Sequence, residues 1–81
     1  MTIKQILLAT LLTIAPLISF AVDFYIATSD LNVRTGAGTE YSISFTLQKG
    51  DEVEVLSKNG SWYKIKYLGQ TGYAHSKYLK D

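Results

Sequence analysis

The stretch Asn59–Leu79, NGSWYKIKYLGQTGYAHSKYL, decides the fold. It contains the only tryptophan and four of the six tyrosines. Asn59-Gly60 is a tight-turn dipeptide, because both residues tolerate positive φ. After it, Trp62 to Tyr67 alternates as a strand does, with Tyr63, Ile65 and Tyr67 on one face and Trp62, Lys64 and Lys66 on the other. Leu68-Gly69-Gln70 reads as a second reversal, leading into a strand from Thr71 to His75. Ser76-Lys77-Tyr78 suits one tight helical turn, and Leu79 is placed to close a final pairing. The stretch is an aromatic hairpin, one side of which the rest of the chain must cover.

Upstream, the same period of two recurs. Glu52-Val53-Glu54-Val55-Leu56 alternates cleanly, with the valines inward and the glutamates solvated. Lys49-Gly50-Asp51 is a turn. Ser42–Leu47 reads as a strand with Ile43, Phe45 and Leu47 on one face. Thr35-Gly36-Ala37-Gly38-Thr39 is a loop, and Leu31-Asn32-Val33-Arg34 is a strand with Leu31 and Val33 inward. Val22–Ala27, apolar with Phe24 and Tyr25, reads as a first strand at a sheet edge. The pattern predicts an all-β unit, a small barrel of about five to seven short strands. Its inward positions are Leu31, Val33, Ile43, Phe45, Leu47, Val53, Val55, Tyr63, Ile65 and Ala74.

The first residues differ in kind. Lys4 precedes an apolar run from Ile6 to Ile18, and Ser19-Phe20-Ala21 puts small residues where a signal peptidase reads. Residues 1–21 are read as a signal-peptide helix and residues 22–81 as the domain. Ile6 to Val22 is short for a bilayer span and is interrupted by Thr10, Thr13 and Pro16, so membrane contact is expected only through the leader before cleavage. The location expected is the periplasm or the extracellular space. The 60 residues that follow carry seven basic and seven acidic side chains. That balance argues against nucleic acid as a partner. The chain has no cysteine, which excludes disulfides and thiolate metal sites.

Catalysis needs groups held in pairs, a base beside a nucleophile or two carboxylates across a cleft. His75, the one histidine, has no such partner in the pattern and is read as a surface residue. Glu52 and Glu54 read as a solvated edge. No catalytic residue, cofactor or metal is expected. Trp62 lies on an otherwise polar strand face, which makes it either a platform for a ligand or a ring half covered by a loop.

From Leu31-Asn32-Val33-Arg34 and its glycine loop, through Tyr41, Leu47-Gln48-Lys49-Gly50-Asp51 and Gly60-Ser61-Trp62-Tyr63-Lys64-Ile65, to Gly69-Gln70-Thr71-Gly72-Tyr73-Ala74 and Tyr78-Leu79, the chain resembles the bacterial SH3 domain (SH3b). The resemblance covers about Asp30 to Leu79; the family usually carries tryptophan where this chain has Tyr73. It implies a small SH3-like barrel, exported and commonly attached to cell-wall hydrolases as a targeting module. In such barrels Trp62 and Tyr78 flank a groove, which Tyr41, Tyr73, Asn32 and Arg34 line or adjoin. The implied function is non-catalytic binding of cell-wall peptidoglycan, through its peptide or its glycan. The alternative is docking on, or inhibition of, an exported protein partner, and the oligomeric state stays open.

Overall fold

A computed structural model describes residues 21–81. The leader read at 1–21 lies outside them except for its last residue. Seven strands follow in order: β1 (Asp23–Ala27), β2 (Leu31–Arg34), β3 (Ile43–Leu47), β4 (Glu52–Asn59), β5 (Trp62–Tyr67), β6 (Gln70–His75) and β7 (Leu79–Lys80), with a 3₁₀ turn at Ser76–Tyr78 between the last two. They form one antiparallel sheet in the order β3-β2-β6-β5-β4-β1-β7. The all-β expectation holds, and the 3₁₀ turn falls where the sequence placed it.

The sheet curls around a single core. Ala27, Leu31, Val33, Leu47, Val53, Val55, Ile65, Ala74 and Leu79 are all buried, and every strand contributes at least one of them. A flat sheet could not bring all seven strands to one apolar cluster. Each buried Val, Leu or Ile is worth about 1.5–3 kcal/mol, and a domain of this size needs every one. Ala27 and Leu79 were not among the inward positions read from the sequence; they enter because β7 returns beside β1. For the same reason β1 is no edge strand, being flanked by β4 and β7.

Ile43 was expected inward and is 51% exposed. The β2–β3 register shifts between Val33 and Arg34, so that Val33 faces Phe45 but Arg34 faces Ile43. One extra residue sends the strand to its other face beyond that point. Phe45 and Tyr63 are half-buried and cap the core rather than fill it. A second irregularity, between Val55 and Ser57 in β4, leaves Leu56 without a partner on β5, on the outer face where the alternation puts it, and the strand runs on to Asn59.

The two hairpin turns differ from their sequence reading by one residue. Asn59 pairs with Trp62 as the last residue of β4, so the turn is made by Gly60-Ser61. Gly60 has φ 64°, and glycine at the first central position is the type II′ preference. The second turn has positive φ at both Leu68 (48°) and Gly69 (80°), as type I′ requires.

Candidate binding groove

The β5–β6 hairpin sets the first wall. Its turn at Leu68-Gly69 puts Trp62 directly across from His75, and their rings meet edge-on at 5.3 Å. His75 also begins the 3₁₀ turn: the backbone N–H of Lys77 donates to its Nδ1 at 3.1 Å. The turn carries Tyr78 round to the other side of the imidazole, 6.2 Å away and again tilted. Three rings from three successive elements thus stand side by side, each a favourable edge-to-face neighbour of the next.

Backbone bonds fix that arrangement from both flanks. Ser76 N–H donates to the Ser61 carbonyl at 2.8 Å, and Thr28 N–H donates to the Tyr78 carbonyl at 2.9 Å. The tautomer of His75 follows from its cap bond: Nδ1 accepts, so the ring proton sits on Nε2 and is left to donate elsewhere.

The opposite wall comes from β2 and the loops at its ends. Asp30, Leu31, Asn32, Arg34 and Thr39 face Trp62, His75, Lys77 and Tyr78 across a groove of about 440 Å³. Asp30 is held by its neighbour loop, where Lys49 N–H donates to Oδ1 at 3.0 Å. Asn32 Oδ1 accepts from the Thr46 hydroxyl at 3.3 Å. Arg34 Nη1 donates to the carbonyls of Thr39 (3.1 Å) and Tyr41 (2.9 Å). That guanidinium therefore ties down the glycine loop as well as lining the groove. Lys77 Nζ lies 5.7 Å over the Tyr78 ring, a cation–π distance. The groove combines an aromatic wall with one carboxylate, two cations and one amide.

Of the six candidate residues, Trp62, Tyr78, Asn32 and Arg34 meet in this groove. Tyr41 and Tyr73 do not line it. The Tyr41 ring covers Gly36, where a built Cβ would lie 2.6 Å away, and Tyr73 pairs with Arg34 and Lys64 inside the sheet. Trp62 is half-buried and faces the groove at once, so cover and accessibility are not alternatives. His75, read from the sequence as an ordinary surface residue, is the central ring of the wall. The signal for it was present: a hairpin centred on Leu68-Gly69 sets residue 62 against residue 75.

The profile of the bacterial SH3 domain family matches residues 29–80, the whole groove and all but the first strand. The chain belongs to the bacterial SH3 domain family. Among its relatives, this SH3 domain is 47% identical over 51 residues to "Bacteriocin BCN5" of Clostridium perfringens. It is 45% identical over 53 residues to "Probable endopeptidase p60" of Listeria innocua. It is 36% identical over 50 residues to "Putative N-acetylmuramoyl-L-alanine amidase YrvJ" of Bacillus subtilis. These matches cover 63%, 63% and 62% of this chain, but only 6%, 11% and 10% of the relatives. The chain thus spans about a tenth or less of their length, and the enzymes among them resemble it over this domain only.

Proposed function

We infer that the chain is an exported, non-catalytic binding module for cell-wall peptidoglycan, with residues 1–21 as its export signal and residues 22–81 as the binding domain. The observation that carries this reading is the solvent-open wall of Trp62, His75 and Tyr78. Aromatic rings of this kind supply much of the energy at binding hot spots. The relatives support the target: an N-acetylmuramoyl-L-alanine amidase is named for a bond between a muramic sugar and a peptide, and an endopeptidase for a peptide bond. A segment shared by such enzymes and a bacteriocin is suited to holding them at a common surface. The SH3 domain would bring that surface contact without the chemistry. His75 commits Nδ1 to the 3₁₀ turn, so that nitrogen is not free to act as a base.

Asn32, Arg34 and Lys77 give the groove polar groups for the carbonyls and carboxylates of a wall peptide, while Trp62 and Tyr78 stack on its apolar or sugar faces. Cosedimentation of the purified protein with intact sacculi tests this. Retention is expected, and Tyr78→Ala, at an exposed ring, should lower it about tenfold or more. Trp62 is the sole tryptophan, so its fluorescence should shift on titration with soluble muropeptides. Retention equal for the parent and both Tyr78→Ala and Trp62→Ala, all folded, would remove the groove from wall binding. Absence of retention with intact folding would leave an exported protein as the partner to seek.

A further inference from the structure

The outer face of β1 is apolar where a solvated strand should be polar. Tyr25 and Ala27 turn toward the core, so Phe24 and Ile26 turn out, 54% and 44% exposed. Val22, two residues earlier, and Leu56, at the β4 irregularity, are exposed as well. Residues directly opposite in an antiparallel pair share a face. On one flank β4 therefore sets Glu54 beside Phe24 and Glu52 beside Ile26. On the other flank β7 sets Lys80 beside Ile26. Glu54 already faces Lys66 across β5, and the β5 register begins there, so Glu52 has no cross-strand lysine on that side. An apolar strip thus runs between an acidic border and a basic one. It shares no residue with the aromatic groove.

We propose that this face docks a second copy of the chain. The charge order selects both the occupant and its orientation. A two-fold axis running along β1, between two such faces, lays Phe24 on Phe24 and Ile26 on Ile26. It also carries each copy's Glu52 over the other's Lys80, since both lie level with Ile26. A two-fold axis across the strands would instead set acids over acids. The first arrangement is self-complementary, as an isologous dimer must be, and it keeps the strands of the two sheets nearly aligned, a common packing of sheet on sheet. An anionic membrane surface fits less well, because Glu52 and Glu54 would enter the contact. The apolar strip is narrow, so the association is weak, with a Kd on the order of 100 µM.

Sedimentation velocity on protein purified from cells making the full chain, from about 10 µM to about 1 mM, tests the proposal. The weight-average mass should rise toward twice that of the chain. Phe24→Ser should stay monomeric throughout. Glu52→Lys and Lys80→Glu should each weaken association about tenfold, since each replaces two attractive contacts by two repulsive ones, and the double variant should return to within about threefold of the parent. All three substituted positions are on the outer face, and thermal melts check that each variant folds; the charge swap keeps the test independent of Phe24. A constant monomer mass, an unaffected Phe24→Ser, or a double variant as weak as the single ones would overturn the proposal. So would a monomer whose binding to phosphatidylglycerol vesicles is lost with Phe24→Ser, which would give the face to a membrane. None of these outcomes depends on whether the groove binds the wall.

Discussion

A single side chain carries a backbone penalty at the β5–β6 turn. Leu68 has φ 48° and is 84% exposed. A residue with a Cβ in the left-handed region costs about 1–2 kcal/mol, and asparagine suffers less because its short amide bonds locally. Leu68 contributes little in return, since its side chain is in solvent. Leu68→Asn should therefore stabilise the fold by about 0.5–1 kcal/mol, read as a higher denaturant midpoint with an unchanged slope. The substitution also makes Asn-Gly, the preferred type I′ pair. The sequence showed the reversal at Leu68-Gly69 plainly, through its glycine, but not the cost borne by its leucine.

Among the elements, β2 and its sheet neighbour β6 approach closely at Gly72. A Cβ built on Gly72 would lie 2.6 Å from Val33 Cγ1 and 3.0 Å from the Arg34 carbonyl oxygen. Backbone cannot yield as a flexible side chain does. Gly72→Ala should destabilise by about 1–3 kcal/mol and displace Arg34, which pins the loop on the far wall of the groove. The expected result is a lower melting temperature together with weaker sacculus retention in the protein that remains folded. The alternation in β2, β4, β5 and β6 was legible because period-two patterning reports directly on a half-buried sheet. The irregularities at Val33–Arg34 and Val55–Ser57 were not, because a bulge adds a residue without any compositional mark. That is why Ile43 was read inward and is exposed, whereas Val53 and Ile65 fall where the alternation puts them. The groove was half legible: Trp62 and Tyr78 announce themselves as aromatics, whereas Asp30, Thr39 and Lys77 join only through the curl of the sheet.

For the molecule as a whole, two surface contacts bear weakly on stability at alkaline pH, since both are open to solvent screening. Lys58 Nζ stands 4.9 Å over the Tyr25 ring and 5.7 Å over that of Tyr63. Its hydrogen bond to Tyr25, followed by the nearby charges of Tyr25, Tyr63 and Asp23, raises its pKa above the ordinary 10.5 against an opposing desolvation. Tyr67 is raised above its ordinary 10.0 by desolvation first and by the Asp51 carboxylate second. In both cases the folded state holds its proton more tightly than the unfolded one. The associated stability is complete below the unfolded pKa and is lost as pH rises through the folded one. Denaturant midpoints should be level up to about pH 9 and fall slightly above about pH 10, the exposure of both groups keeping the fall small. Asp51→Asn should make the fall shallower and let Tyr67 ionise earlier in a 295 nm titration.

The pairing of β1 with β7 has a mechanical corollary. Because the two strands run antiparallel, with Ile26 against Lys80 and Ala27 against Leu79, the polypeptide enters and departs at the same corner. Such a unit hangs from flanking chain as a pendant, and can be spliced into a larger protein without forcing its neighbours apart. Tension applied through both attachments would peel β7 from β1 one residue pair at a time, an unzipping geometry that yields at low force.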